Sequence, residues 1–252
     1  ESVIHAESFF THGFDFPTTI LFGIYLCWRE AYLIILVCCI SKLMLHQIFI
    51  GISLSALLWG EFIKSKSLRY VFKPLTILLI LFIPILNPQL SWGINYSSLI
   101  IAGLFLSMFG DIFLMFSEKY FIPGLIAFLL AHLVYIAAFI SVDGIHYSWI
   151  SFIFLITGIL IFKLLNKKLG KLQIPVALYI SAIAIMAWQS WELCLSTGSY
   201  GFGLAAVGTI LFLISDFALS VNKFLKPLNF AQFIILPTYF FAQWLIASST
   251  IY

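Results

Sequence analysis

Eight apolar stretches of about twenty residues each constrain the fold of this chain most strongly. About twenty residues of helix cross a membrane core of ~30 Å, and helices satisfy their own backbone polar groups there. Of the 252 residues, 63% are hydrophobic and 9% are charged, a balance far from that of soluble domains. We therefore predict an all-α transmembrane bundle with spans at residues 44–62, 73–91, 96–116, 122–141, 147–165, 174–193, 201–221 and 229–250.

Residues 1–43 do not fit this pattern. Their two apolar runs, 17–27 and 31–40, are each too short to cross a bilayer. We assign them to an N-terminal extension with an interfacial or additional hydrophobic segment, and residues 44–252 to the transmembrane domain. The chain starts at Glu1 and lacks the cationic start of a secretory signal, so we expect a fragment or an atypical start.

The positive charges fall on alternate loops. Lys and Arg follow the first, third, fifth and seventh spans, whereas loops 92–95, 142–146 and 194–200 contain neither. By the positive-inside rule, we expect the cationic loops to be cytoplasmic and both ends of the eight-helix core to lie on the other side. No basic cluster indicates a nucleic-acid partner, and the lipid bilayer is the expected environment.

Two aspartates interrupt the apolar stretches. Asp111 lies in the third predicted span, and Asp216 lies 105 residues later in the seventh. Because four spans separate them, the two halves would be parallel repeats, a known pattern in membrane folds. Ionisable groups inside membranes are costly and usually functional, so these two carboxylates are the catalytic candidates. The same offset relates Leu114 to Leu219 and Phe128 to Phe233.

Other polar side chains lie at related depths. Each aspartate is five residues, or about 7.5 Å, before the cytoplasmic end of its predicted span. Lys73 opens the second span at that side, and Tyr179 is five residues into the sixth. His132 and Tyr239 lie about 15 Å from the same side. We expect a cavity open to the cytoplasmic leaflet, with substrate-binding candidates Lys73, His132, Tyr135, Tyr179, Tyr239 and Gln243.

Each candidate also has a structural interpretation. The aspartates can be tied to Lys73 or to hydroxyls, and Lys73 itself can snorkel to the interface. His132, the tyrosines and Gln243 can be packing groups that hydrogen-bond between helices. Glu61 and Glu192 lie near span ends, where we expect both to be solvated. The four cysteines lack zinc-site spacing and are expected to act as small hydrophobic residues.

The polar set favours carboxylate chemistry. Apolar surroundings disfavour a charged carboxyl group, so one of a close pair can hold a proton while the other is ionised. A serine hydrolase is disfavoured because the chain has no Gly-x-Ser-x-Gly elbow. A zinc hydrolase is disfavoured because no span carries a His-x-x-x-His pair. We expect metal-independent chemistry with no cofactor.

Several motifs, taken in order, resemble the YhhN-type lysoplasmalogenase family. The resemblance covers about residues 44–250 and implies an eight-span membrane hydrolase. Such an enzyme cleaves the vinyl ether of a lysoplasmalogen to a fatty aldehyde and a glycerophospho-ethanolamine or -choline. The family aspartates fall on Asp111 and Asp216. The motifs are Lys73-Pro74-Leu75-Thr76, Gly110 to Met115, Gly124 with Ala127 to Tyr135, Phe212 to Asp216, and Tyr239 with Gln243; the family's KP, HxxY and YxxxQ positions are Lys73-Pro74, His132/Tyr135 and Tyr239/Gln243.

The resemblance implies a lysophospholipid substrate and suggests a mechanism. One protonated aspartate donates to the alkenyl carbon, and the other stabilises the oxocarbenium ion and orients water. The sequence leaves open which aspartate is the acid, the head-group preference and the oligomeric state. The competing hypothesis is a non-catalytic lipid or small-molecule transporter or receptor, in which the aspartates bind protons or a cationic head group.

Overall fold

Helices form nearly all of the structure. The computed structural model describes residues 45–87 and 93–252, and within these ranges there is no strand. The predicted N-terminal segment, including Cys27, Cys38 and Cys39, lies outside the described residues. The described α-helices are α1 Leu45–Phe62, α2 Lys66–Ile85, α3 Tyr96–Met115, α4 Phe121–Asp143, α5 Ile150–Leu169, α6 Gln173–Thr197, α7 Tyr200–Ser220 and α8 Ala231–Ser248.

The helices are apolar enough to cross a membrane. By length and composition, seven segments qualify, and one of these is the 48-residue stretch Ile150–Thr197. That stretch contains both α5 and α6, which a short 3-10 turn at Gly170–Leu172 connects. The all-helical membrane architecture is therefore confirmed in the described residues, whereas eight separate crossings remain a prediction.

Local capping explains where two of the site-bearing helices begin. The Ser65 hydroxyl accepts a bond from the Leu68 amide, and α2 begins at Lys66 rather than at the predicted residue 73. Asn95 and Ser98 form a reciprocal capping box at the start of α3. Because α2 starts earlier, Lys73 lies two turns inside the helix and does not open it. This shift moves its ammonium group into the bundle.

Helix pairing repeats along the chain. The most extensive contacts join α3 to α4 and α7 to α8, and related contacts join α6 to α4 and α2 to α8. Replacing each helix by the one four positions away turns α3 and α4 into α7 and α8. The same exchange turns α2 and α8 into α6 and α4. The repeat predicted from the 105-residue echo therefore has a counterpart in the packing of the helices.

Glycines allow the two extensive pairs to approach closely. A Cβ atom on Gly103 of α3 would lie 2.3 Å from Cε1 of Tyr135 on α4. A Cβ atom on Gly208 of α7 would lie 2.9 Å from the carbonyl oxygen of Ala242 on α8. The two glycines are also 105 residues apart. Small residues permit such close helix packing in membranes, and here they hold the site-bearing helices together.

Candidate active site

Asp111 is held in a buried ion pair. It lies on α3 with a side-chain exposure of 2%, and the Lys73 Nζ atom is 2.9 Å from its Oδ1 atom. The Tyr239 hydroxyl donates to its Oδ2 atom at 2.7 Å. The carboxylate thus has a cation on one oxygen and a hydroxyl donor on the other. A buried charge requires such compensation to be tolerated.

A chain of hydrogen bonds continues from Tyr239. The Gln243 amide nitrogen donates to the Tyr239 hydroxyl at 3.4 Å, and the Tyr135 hydroxyl donates to the Gln243 amide oxygen at 2.8 Å. All three side chains are buried. The chain therefore connects α4 and α8 to the Asp111 carboxylate, and it fixes the direction of the Tyr239 hydroxyl.

Asp216 has a different environment. Its Oδ2 atom accepts a hydrogen bond of 2.5 Å from the Tyr179 hydroxyl on α6. The His132 Nε2 atom lies 4.0 Å from the same oxygen. Asp216 is also more open than Asp111, with a side-chain exposure of 13%. Its described partners are therefore a phenol and an imidazole rather than a lysine.

His132 is buried without a hydrogen bond. Its side-chain exposure is 0%, and in the described part of the chain neither ring nitrogen has a hydrogen-bond partner. The ring packs between Tyr179 and Phe212, with centroid distances of 5.0 and 4.9 Å. An unsatisfied buried polar group costs free energy and therefore calls for an explanation.

The two carboxyl groups occupy equivalent positions but do not bond to each other. Each lies four residues before the last residue of its helix. Residues 45–87 and 93–252 contain no direct hydrogen bond between Asp111 and Asp216. The rings of Phe212 and Tyr239 pack between the two environments, with centroids 5.4 Å apart. The two carboxylates thus form two linked centres.

The partners of the two aspartates follow the repeat. Asp111 on α3 takes one partner from α2 and one from α8. Asp216 on α7 has one neighbour on α6 and one on α4. Since α2, α3 and α4 correspond to α6, α7 and α8, each half supplies a group to the carboxylate of the other half. The site is therefore shared between the two repeats.

The two centres lie beside cavities of opposite character. Asp216 and Tyr179 line a narrow, mainly apolar cleft. Lys73 lines a polar pocket of about 380 Å³. Leu114 lines both. An amphiphile with one chain and one polar head matches such a pair of cavities, because each part meets surroundings of its own polarity.

A charged pair lies at the apolar cleft. Lys223, which lines this cleft, forms an ion pair with Glu118 at 2.7 Å. Its ammonium group also lies 5.2 Å from the centre of the Phe121 ring. Lys223 was predicted only as a cytoplasmic loop charge, and the structure adds a position next to the cleft.

The structure corrects the expected exposure of Glu192 and adds residues to the site. Glu192 is buried with 5% exposure, and hydrogen bonds from Ser148 and Trp188 to its Oε1 atom compensate for the loss of water. It was expected to be solvated. Phe212 and Leu114 were not predicted as site residues, since a leucine or phenylalanine in an apolar run carries no signal of its own. Both residues do fall within motifs of the family resemblance, Gly110 to Met115 and Phe212 to Asp216. Leu114 and Leu219, which both line the cleft, are also related by the 105-residue offset.

No convergence of metal-binding side chains is found in the described ranges. Among residues 45–87 and 93–252, no group of three His, Cys, Asp or Glu side chains is placed to hold one ion. Cys194, also in that part of the chain, is a half-buried free thiol. Metal-independent chemistry therefore stays a prediction.

Comparison with known proteins identifies the family. Residues 68–250 match the YhhN family. The chain belongs to the YhhN family. This membership confirms the resemblance carried by the Lys73, Asp111 and Asp216 motifs, and with the apolar helices it identifies an integral membrane protein. No solved structure matches the chain.

Curated relatives in the YhhN family include proteins named as enzymes. The chain is 29% identical to lysoplasmalogenase TMEM86A of Bos taurus over 157 residues, which is 60% of this chain and 65% of the relative. It is 32% identical to lysoplasmalogenase TMEM86B of Homo sapiens over 62% of this chain and 65% of the relative. A match to the uncharacterized membrane protein YhhN of Escherichia coli is 29% identical and covers 72% of this chain and 86% of the relative. The chain thus spans just under two thirds of the two named enzymes.

Proposed function

We propose that this protein is an integral-membrane hydrolase that cleaves the vinyl ether bond of lysoplasmalogens. The carrying observation is the pair of buried carboxyl groups placed beside a polar pocket and an apolar cleft, with Leu114 lining both. A single-chain ether lipid has its reactive bond at the junction of head and chain. The names of the TMEM86 relatives support the same substrate.

Asp216 is the proposed general acid. It lines the apolar cleft, where the alkenyl chain would lie, and one of its oxygens is taken by the Tyr179 hydroxyl. The other oxygen can carry the proton. Asp111 is the proposed ionised partner, because the ammonium group of Lys73 stabilises its charged form. This division gives the two carboxyl groups different roles through different surroundings.

The reaction consumes one water molecule. Asp216 donates its proton to the alkenyl carbon remote from the ether oxygen, and the double-bond electrons form the new C–H bond. The oxocarbenium ion that results has its positive charge on the carbon–oxygen unit, where the negative charge of Asp111 stabilises it. Water adds to the carbon that is bonded to the ether oxygen, and one of its protons returns to Asp216. The hemiacetal then breaks its bond to the glycerol oxygen, giving a fatty aldehyde and a free glycerol hydroxyl.

The surrounding polar groups position these reactants. Tyr179 holds Asp216, and Tyr239 holds Asp111 within the chain that includes Tyr135 and Gln243. His132 has ring nitrogens free to bind the attacking water beside Asp216. In this proposal the positive charge of Lys73, which lines the polar pocket, also adds to the long-range attraction of the lipid phosphate.

The test is aldehyde release from a lysoplasmalogen by the purified full chain. We expect Asp111→Asn and Asp216→Asn each to lower the rate by at least about 100-fold, because each removes an acid–base or charge-stabilising group. Asp143→Asn is the matched control, since Asp143 is exposed and pairs with His146 outside the site. A chelator should leave the wild-type rate unchanged. Full activity in both site variants, with folding retained, would overturn the proposal.

The repeat of helix pairs also favours a second candidate, a lipid or small-molecule transporter or receptor. Parallel repeats with a binding site between them occur in transporters. The same protein reconstituted into vesicles distinguishes the two. Uptake of lysolipid without aldehyde release, across a panel of vinyl ether lipids, would favour the transporter.

A further inference from the structure

The polar pocket contains charged residues that the proposed reaction does not use. Lys66 and Arg69 on α2 and Glu61 at the end of α1 line it together with Lys73. The sequence predicted Lys66 and Arg69 only as topological charges, and Glu61 only as a solvated end residue. All four side chains lie around one cavity of about 380 Å³.

The charges of this pocket are only partly paired with one another. The Arg69 Nη1 atom lies 3.6 Å from the Glu61 Oε2 atom, which is longer than a charge-assisted hydrogen bond of about 2.7–2.9 Å. In the described part of the chain Lys66 has no ion pair. Lys73 is committed to Asp111 at 2.9 Å. Lys66 is therefore available to a ligand, and the long Arg69–Glu61 contact leaves both of those groups able to take a further partner.

This arrangement is complementary to a zwitterion. Arg and Lys side chains bind phosphate oxygens, with the planar guanidinium offering paired donors. A carboxylate with 14% side-chain exposure, such as Glu61, offers an acceptor for an ammonium group next to that phosphate. A plain phosphate would instead meet repulsion from the Glu61 carboxylate.

We infer, on the basis of the proposed function, that this pocket recognises the head group of the lipid. Lys66 and Arg69 bind the phosphate, and Glu61 binds the ammonium group. Lys73 lines the same pocket and pairs with Asp111, so it connects the phosphate position to the proposed reaction site. Glu61 is then the residue that favours zwitterionic over purely anionic head groups.

A non-cleavable probe separates binding from catalysis. We would measure the Kd of the full chain in detergent micelles for two saturated alkyl-ether lysolipids, one with a phosphoethanolamine head and one with a plain phosphate head. The wild type should prefer the zwitterion. Lys66→Gln and Arg69→Gln should each raise the Kd for both probes by about tenfold, because each removes a charge-assisted contact to phosphate.

Glu61→Gln gives the sharper result. It should raise the Kd for the phosphoethanolamine probe by about tenfold and leave the Kd for the plain phosphate probe unchanged or lower. The preference for the zwitterionic head group would then be lost or reversed. Lys64→Gln is the matched control, since Lys64 is an exposed cation of the same turn that does not line the pocket. It should change neither Kd.

Two results would overturn the inference. One is an equal rise in the Kd of both probes in the Glu61→Gln variant. The other is a change in Kd by Lys66→Gln that is no larger than the change by Lys64→Gln. Neither depends on cleavage, because the saturated ether has no vinyl bond. A wild type that shows the binding pattern but releases no aldehyde from lysoplasmalogen would refute the proposed catalysis alone. Where activity is present, Lys66→Gln should raise KM and leave kcat unchanged.

Discussion

At the scale of single residues, the ion pair between Lys73 and Asp111 combines stability and proposed function. Both side chains are largely withdrawn from solvent, with exposures of 16% and 2%. Removing one member of a buried pair leaves an uncompensated charge, which costs more than removing both members. The pair is therefore tested best by a double-mutant cycle.

Lys73→Met should destabilise the protein by about 3 kcal/mol, because the Asp111 carboxylate would lose its cation. The double variant Lys73→Met/Asp111→Asn should recover most of that loss, since neither group would then be charged. The measurement is reversible unfolding of the purified protein in mixed micelles. Equal destabilisation of the single and double variants would show that the ion pair is not what stabilises this part of the bundle.

At the scale of helices, the pairing of α3 with α4 depends on a glycine. A methyl group on Gly103 would overlap the Tyr135 ring, at 2.3 Å from its Cε1 atom. Tyr135 cannot move away without disturbing its hydrogen bond to Gln243. The packing of two helices and the hydrogen-bond chain to Asp111 are thus coupled at one position.

Gly103→Ala should therefore lower the free energy of unfolding by about 1–3 kcal/mol, the usual cost of overpacking. Gly158→Ala is the control within another helix, since its added Cβ atom would lie 3.5 Å from the Ala184 Cβ atom, an ordinary contact. That change should be nearly neutral, because alanine has the better helix propensity. Thermal unfolding of both variants in detergent checks the prediction, and similar losses in the two would contradict it.

The helices were largely predictable, whereas their lateral arrangement was not. Hydropathy fixes where a chain can cross, and helical rise fixes the depth of Asp111 and Asp216. Neither gives the rotation of a helix or its neighbours. The sequence therefore predicted one site for both aspartates, but it did not predict which side chains contact Asp111 and which contact Asp216. Glu192 was misplaced for the same reason, because it accepts hydrogen bonds from Ser148 in the loop before α5.

At the scale of the whole molecule, the topology still depends on α5 and α6. Separate crossing of these two helices gives eight spans and places the cationic loops together, as the charge distribution predicts. Lys168 near the end of α5 and Ile145 before its start are both exposed. They would then face opposite sides of the membrane.

Single cysteines test this arrangement. In a variant with the four native cysteines replaced by alanine, Lys168→Cys should react with a membrane-impermeant thiol reagent only from the cytoplasmic side. Ile145→Cys should react only from the other side. Labelling of both positions from one side of sealed membranes would mean that α5 does not cross.

The unequal surroundings of the two aspartates have an electrical consequence. Lys73 balances the charge of Asp111, whereas a phenol and an imidazole lie beside Asp216. A proton that binds to Asp216 therefore carries its charge into the membrane field. One charge moved across the whole membrane changes energy by about 2.3 kcal/mol per 100 mV, and a group part-way across experiences that fraction. We therefore expect proton occupancy at Asp216 to depend on the voltage of the host membrane, and this dependence to be absent in detergent solution.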